Sequence, residues 1–313
     1  MRTFLKKTII FLLSLIILLF GVDWLSSELV IEKSDFKLIS KPKYLVLGHS
    51  QPQHAFNDSL IKGLKNLADG GESYFYTYYK SVEVIKNNPT IETVFINFSN
   101  NNIAKSRDFW TWDCYFMVER LKRFSHLIKI EGKLKLAYHN LPCFTETMLF
   151  VLQERLSDLL NQNLRYSTNL GGYKVSSKLS SNTEQLETSL STRLRILNSF
   201  DSNSKEASHH NLNYLNKLIE FCKKQDKQVV LVRLPQQEEY KFWKNEIEFS
   251  QIRKQYFTEL PFLDFAKFPL KDEDFIDHSH LSYQGASRFS NYFGKLLKTK
   301  NYHLNQRYLD DKK

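Results

Sequence analysis

The stretch YLVLGHSQPQHAFND, residues 44–58, contains an apolar run that ends at Gly48 and is followed two positions later by Ser50. Short apolar runs bounded by turn residues are typical of buried strands. YLVLG (44–48) therefore predicts a strand, and so do TVFINF (93–98) and QVVLVRLP (228–235).

Helical patterns lie between these strands. DSLIKGLKNLA (58–68) and SYFYTYYKSVEVIKNN (73–88) both have apolar positions at helix period. Buried strands that alternate with helices imply a parallel sheet covered on both faces. We therefore expect an α/β fold, a three-layer sandwich around a mainly parallel, flavodoxin-like sheet. The aromatic residues of SYFYTYYK, in the predicted helix at 73–88, are at helical spacing, which favours packing of this helix against the core. A platform that stacks on sugar rings is the alternative.

The pattern changes in the middle of the chain. Helical segments at 114–130 and 145–162 precede a Ser-, Asn- and Thr-rich piece at 171–191. We predict an α/β domain over 41–108 and 209–300, interrupted by a helical and Ser/Asn-rich insertion at 109–208, with a charged tail at 301–313.

The N-terminus carries an uncharged apolar run, TIIFLLSLIILLFGV (8–22), preceded by Arg2, Lys6 and Lys7. It is short of the ~20 residues that a bilayer crossing needs, but Trp24 and Leu25 lengthen it. The positive-inside rule then predicts residues 1–25 as a cytoplasmic basic tip and transmembrane anchor, 26–40 as a connector, and an extracytoplasmic main domain, periplasmic or at the cell surface. A cleaved signal peptide is the alternative.

Charge and cysteine content narrow the classes of partner. The net charge of +10 fits acidic envelope polymers or lipid head groups, or simply a lysine-rich surface. An exported domain argues against nucleic acid. The three cysteines form no disulfide framework and no metal site, although a bridge between Cys114 and Cys143 can form in an oxidising compartment.

Ser50 would follow a strand at the sheet edge where α/β proteins bind ligands. It can cap the next helix, or it can be a nucleophile if a base and an orienting group lie beside it. Candidates occur near the other end of the chain, where Asp277 and His280 have the spacing D-x-x-H. An Asp on one imidazole nitrogen leaves the other to face a nucleophile; the alternative is that Asp277 caps the last helix and His280 is a surface residue.

Together these segments resemble the SGNH, or GDSL-type, hydrolase family. Gly48-His49-Ser50 corresponds to its Gly-Asp-Ser block, and Asp277 to His280 with Gly285 corresponds to its last block. The resemblance implies Ser50 as nucleophile, His280 as general base and Asp277 as orienting acid. It also implies an oxyanion hole of the Ser50 and Gly71 N–H groups and the Asn101 side chain, from the segments NLADGGES (66–73) and INFSNNN (96–102).

Membrane-anchored members of this family serve alginate and peptidoglycan O-acetylation and teichoic acid D-alanine transfer, and the chain resembles them in topology. The resemblance implies an esterase or O-acyltransferase acting on acyl esters of a cell-envelope or extracellular polysaccharide, beside a multispanning membrane acyltransferase and without a cofactor. His49 and Ser99 depart from the family pattern, which keeps a catalytically inactive module that binds glycan or scaffolds the acyltransferase as the alternative.

The histidines also allow a rival hypothesis. His49, His54, His278 and His280 can in principle surround a zinc ion, but no Cys or Glu completes a recognisable ligand spacing, so we expect no metal. His209 and His210 lie in a polar stretch and are expected at the surface.

Overall fold

The computed structural model describes residues 1–34, 36–161, 169–175, 206–239, 245–299 and 306–307. The chain divides into a helical unit, Met1–Phe36 with Trp112–Asn169, and an α/β unit, Lys37–Thr111 with Leu170–Lys313. The helical unit thus combines the N-terminal helix with the first part of the predicted insertion. Most of the Ser/Asn-rich piece lies outside the described residues.

Eleven α-helices lie in the described part of the chain: α1 (Arg2–Lys33), α2 (Ser50–Ala55), α3 (Tyr74–Asn87), α4 (Asn100–Ile103), α5 (Phe109–Trp112), α6 (Cys114–Phe124), α7 (Ile130–His139), α8 (Leu141–Leu160), α9 (His209–Lys224), α10 (Glu246–Tyr256) and α11 (Tyr283–Thr299). Its strands are β1 (Tyr44–Leu47), β2 (Leu64–Asn66), β3 (Thr93–Asn97), β4 (Gln228–Arg233), β5 (Phe262–Asp264), β6 (Phe275–Asp277), β7 (His280–Leu281) and β8 (Gln306–Arg307).

The α/β unit is built on a parallel sheet with the order β2-β1-β3-β4-β5, and the two residues of β8 pair beside β5. Strands β6 and β7 form a separate antiparallel hairpin. The mixed α/β class with a mostly parallel sheet is as predicted. In such a sheet the strand order reverses between β1 and β3, so a crevice opens at the carboxyl ends of these two strands.

Burial explains why the strands read as continuous apolar runs. Every residue of β3 is buried, because side chains alternate between two covered faces. Phe95 and Val230 pack with Phe289 and Phe293 of α11 in one hydrophobic cluster. The strand residues between them point to the opposite face.

One predicted helix is wrong. Residues 58–68 form a short 3₁₀ turn, Asp58–Leu60, and then strand β2. Gly63 has φ +78°, a conformation that L side chains rarely adopt, and it ends the local helical path. A strand of only three residues is too short for its alternation to show in the sequence.

The aromatic residues of α3 pack inside the protein. Phe75, Tyr76 and Tyr79 are buried, which confirms core packing over a sugar platform. His209 is exposed as predicted, but His210 is half-buried, because its ring stacks on Phe75.

The helical unit is organised around α1. This helix is long and apolar enough to cross a membrane, a test that a signal sequence near an N-terminus also passes. Its last third is different, since Asp23, Ser26, Ser27 and Val30 are buried on one face, at helical spacing. That face is part of the helical unit's interior.

Two kinds of bond tie this unit together. Lys133 of α7 and Arg155 of α8 both pair with the Asp23 carboxylate of α1, Arg155 at 3.1 Å. A disulfide joins Cys114, at the start of α6, to Cys143 of α8. The bridge that the sequence allowed is therefore present in the structure, and Cys222 is a buried free thiol on α9.

Candidate active site

The turn after β1 delivers Ser50 to the crevice. Gly48 has φ +145°, and a Cβ on it would lie 2.7 Å from Asn97 Cβ and 2.9 Å from Pro52 Cγ. Only glycine fits between β3 and the first turn of α2. The chain turns sharply there, and α2 begins with Ser50 as its first residue.

His49, not Ser50, caps α2. The His49 Nδ1 atom accepts a hydrogen bond from the backbone N–H of Gln51 at 3.3 Å and lies 3.4 Å from Ser50 Oγ. The capping alternative for Ser50 is therefore wrong.

Two consecutive hydrogen bonds link the side chains of Ser50, His280 and Asp277. Ser50 Oγ is 2.7 Å from His280 Nε2, and His280 Nδ1 is 2.7 Å from Asp277 Oδ2. An ionised carboxylate only accepts, so Nδ1 carries the proton, and in the neutral ring Nε2 is then free of a proton and accepts the Ser50 hydroxyl. The three residues come together in the arrangement of a nucleophile, a base and an orienting acid.

The β6–β7 hairpin holds Asp277 and His280 in place. Asp277 Oδ1 accepts the backbone N–H groups of Ser279 at 2.8 Å and His280 at 2.9 Å. Partial burial opposes ionisation of Asp277, but the hydrogen bond and charge of His280 and these N–H groups outweigh it and hold the pKa of Asp277 below its usual value. Asp277 belongs to this hairpin and does not cap α11, so that alternative is also wrong.

His49 is a buried neutral base behind the serine. Burial, followed by the charges of His280 and Arg107, lowers the pKa of His49 to about 3. Its ring packs against Trp110 with centroids 5.2 Å apart. Because Nδ1 accepts from Gln51, the ring proton of the neutral form is on Nε2.

The predicted oxyanion donors lie in two turns. Gly71 has φ +66° and sits in the turn that follows Asp69, whose N–H donates to Gly48 O at 3.0 Å. Its neighbour Gly70 lies beside the serine, since a Cβ there would lie 3.8 Å from Ser50 Cβ. We therefore keep Gly71 as a predicted donor and add the N–H of Gly70.

Asn101 is placed at the end of β3, in the short helix α4. Its Oδ1 accepts from Arg107 Nε, which leaves the Nδ2 amide on the other side as the donor. Ser99 and Asn102 are bonded to each other in a capping box, with 2.8 Å between Ser99 Oγ and Asn102 Oδ1. Asn101 stays the predicted oxyanion donor of this segment.

Sequence reasoning missed Arg107 as a neighbour of the site and named His54 only as a possible zinc ligand. His54 meets His280 edge to face at 5.3 Å and donates Nδ1–H to Lys174 O at 2.9 Å. Burial and the charge of His280 lower the pKa of His54. Arg107 stacks on Trp110 at 4.7 Å. No motif marks these residues; the pairing of distant segments brings them in.

The four histidines of the zinc hypothesis have other partners. His280 is engaged at both nitrogens, and His278 Nδ1 lies 3.0 Å from Gln237 Oε1. The described ranges contain no group of three or more His, Cys, Asp or Glu side chains placed to hold a metal ion.

Comparison with known proteins adds little about activity. The model of an uncharacterised protein family matches residues 178–301, less than half of the chain. That region includes Asp277 and His280 but begins well after Ser50 in the chain. No curated protein matches the sequence. A functional conclusion must therefore come from the chemistry of the site.

Proposed function

We propose that the chain is an SGNH-like serine esterase or O-acyltransferase that acts on acyl esters of a cell-envelope or extracellular polysaccharide. The observation that carries this proposal is the hydrogen-bonded series Ser50–His280–Asp277, with 2.7 Å at both links. Serine is a weak nucleophile unless a neighbouring base takes its proton, and this series supplies that base and its orienting acid.

The geometry supports acyl transfer through a covalent intermediate. Ser50 Oγ attacks the ester carbonyl while His280 Nε2 takes its proton, and Asp277 stabilises the resulting imidazolium. The negative carbonyl oxygen is held by the N–H of Ser50, the Gly70–Gly71 turn and Asn101 Nδ2. Collapse releases the sugar hydroxyl, which takes the proton from His280. Water or an acceptor hydroxyl, deprotonated by His280, then attacks the acyl-serine and frees Ser50.

Exposure of the site favours a polymeric substrate. The Asp277 side chain is 55% exposed and that of His280 25% exposed. Because these catalytic side chains are open to solvent, an ester attached to a long polysaccharide can reach them. The strand order and the crevice between β1 and β3 also suit the three-layer, SGNH-like architecture.

The buried charges of the helical unit support a retained anchor. Cleavage of a signal peptide beyond Asp23 would leave Lys133 and Arg155 buried without their carboxylate, a costly arrangement. The Cys114–Cys143 disulfide supports an oxidising compartment. We propose that the N-terminus is cytoplasmic and the main domain lies outside, with a multispanning membrane acyltransferase as its partner.

Ester turnover by the purified protein tests the proposal. We expect Ser50→Ala to lower the hydrolysis rate of acetylated polysaccharide by at least about 10³-fold, because it removes the nucleophile. Asp277→Asn should lower it as well, and Ser287→Ala on α11 should leave it unchanged. Equal and negligible rates for wild type and Ser50→Ala, with polysaccharide still bound, would instead favour the non-catalytic module.

A further inference from the structure

A cavity of about 790 Å³ opens at the carboxyl end of β4. It is lined by the loop after that strand, by the segment before β6 and by Phe275. Its volume lies within the range of roughly 300–1,000 Å³ that small-molecule sites occupy. The cavity is at the same edge of the sheet as Ser50.

Gln236 gives this cavity an unused hydrogen-bonding group. The residue is only 6% exposed, yet its Nε2 and Oε1 atoms both lack a hydrogen-bond partner in the described structure. Its backbone N–H is fixed to Ala266 O at 3.0 Å, so the residue is held in place. Buried amides are nearly always satisfied, so this amide at the wall of a cavity is a group that a bound molecule can satisfy.

The cavity is joined to the catalytic loop by Gln237. The backbone N–H of Gln237 donates to His278 O at 3.0 Å, and its Oε1 atom lies 3.0 Å from His278 Nδ1. His278 is two residues from His280. A molecule in the cavity would therefore lie beside the loop that positions the base.

We propose that this cavity binds an uncharged sugar unit of the polysaccharide, next to the unit whose ester meets Ser50. The proposal rests on the function proposed above. The Gln236 amide both donates and accepts, which matches a sugar hydroxyl or an N-acyl group. Phe268 and Phe275 provide apolar surface for the face of a sugar ring.

The charge of the lining favours a neutral sugar over a uronic acid. Glu238, Glu239 and Asp272 line the cavity, and Lys267 is the cation among its lining residues. Carboxylates accept hydrogen bonds from sugar hydroxyls but repel the carboxylate of a uronate. The site thus differs in sign from the whole chain, whose net charge is +10.

Equilibrium binding to the detergent-solubilised full chain tests this site, with neutral oligosaccharides of glucose and N-acetylglucosamine and a uronic acid oligosaccharide as probes. We expect at least one neutral probe to bind about tenfold or more tightly than the uronate. Gln236→Leu should weaken that binding at least tenfold while leaving the melting temperature unchanged or higher, because it removes two unsatisfied buried atoms. A residue with only a structural role would lower stability and binding together.

The matched control is Gln153→Leu, at an exposed position on α8, which should bind as wild type does. Hydrogen exchange on wild type gives a readout without any variant: bound oligosaccharide should protect the amides of 236–239 and 272–275. Ser50→Ala should bind the oligosaccharide as wild type does, because it leaves the cavity intact. Failure of the proposed catalysis can therefore be told apart from failure of the proposed sugar site. Unchanged binding by Gln236→Leu, equal binding of the uronate, or no binding of any neutral probe would overturn the assignment.

Discussion

His49 occupies the position where the resembling family carries an aspartate, and its surroundings explain what it does there. Its ring is fully buried, caps α2 through Nδ1 and packs on Trp110. Complete burial and the acceptor role of Nδ1 both favour the neutral ring. His49 is therefore a structural support for the Ser50 turn, and it ties the stability of that turn to pH.

We predict that stability falls in mild acid because of His49. The unfolded chain binds a proton at its usual pKa of 6.5, whereas the folded chain does not until about 3. Between these values the unfolded state holds more protons, so lowering the pH favours unfolding by about 1.4 kcal/mol per pH unit. Melting from pH 6.5 to 4.5 should therefore destabilise wild type by about 2–3 kcal/mol more than His49→Asn, which keeps a cap acceptor.

The control for this measurement is His209→Asn, at an exposed position at the start of α9. It should follow wild type across the range. His126, whose pKa burial also lowers to about 3, adds a similar slope to every variant and cancels in the comparison. Parallel curves for wild type and His49→Asn would show that His49 is not a buried neutral base.

At the scale of elements, the helical unit depends on charges buried between α1, α7 and α8. Asp23 receives Lys133 and Arg155, and Arg155 also donates to Ser26, Ser27 and Ser125. The buried charged groups of this cluster thus have hydrogen-bond or ion-pair partners, which offsets the cost of burying them. The cluster fixes the last third of α1 to the helices that follow.

Removing the carboxylate should be strongly destabilising. Asp23→Asn leaves two cations buried with no counter-charge, and breaking a buried pair typically costs about 3–5 kcal/mol. We expect a clear drop in melting temperature for the helical unit in detergent.

A second substitution sharpens this test. Lys133→Met in the Asp23→Asn background should recover part of the loss, because it removes one of the unpaired charges. Glu28→Gln, at an exposed position of the same helix, should have little effect. Melting of Asp23→Asn at the wild-type temperature would mean that the cluster does not hold α1.

At the scale of the whole molecule, the three cysteines report the compartment. Cys114 and Cys143 are joined, whereas Cys222 is a thiol whose pKa burial raises to about 12. A thiol this buried stays protonated and unreactive in the folded protein. The pair and the single thiol thus have different chemistry.

We predict one alkylated thiol when the protein from cells is denatured and labelled with a maleimide without reductant, and three when it is reduced first. The intact mass of the protein gives the number of labels. The reason is that an exported domain keeps its disulfide, and a cytoplasmic one does not. Cys222→Ala should show no label before reduction. Three labels without reductant would contradict the proposed extracytoplasmic location.

The strands and the candidate site differ in how far the sequence predicts them. The apolar runs at β1, β3 and β4 are visible because parallel strands are buried on both faces. Strand β2 and strand β5 are too short to show a period, so one was predicted as a helix and the other was not predicted. The family resemblance predicts Gly71 and Asn101 as oxyanion donors, and these roles stay predictions. The approach of Gly70 to Ser50 and the contacts of Arg107 were not predicted, because they depend on packing between segments.

The sequence by itself determined the local features: the apolar run of α1, the Gly48 turn that presents Ser50, and the spacing that lets Asp277 accept the N–H of His280. These depend on neighbours within a few residues. Only the tertiary structure decided that Ser50 meets His280, 230 positions away, that Asp23 is paired from two other helices and that Gln236 stands unsatisfied beside a cavity. Such contacts follow from how strands and helices pack, and packing joins residues whose distance along the chain carries no information about their distance in space.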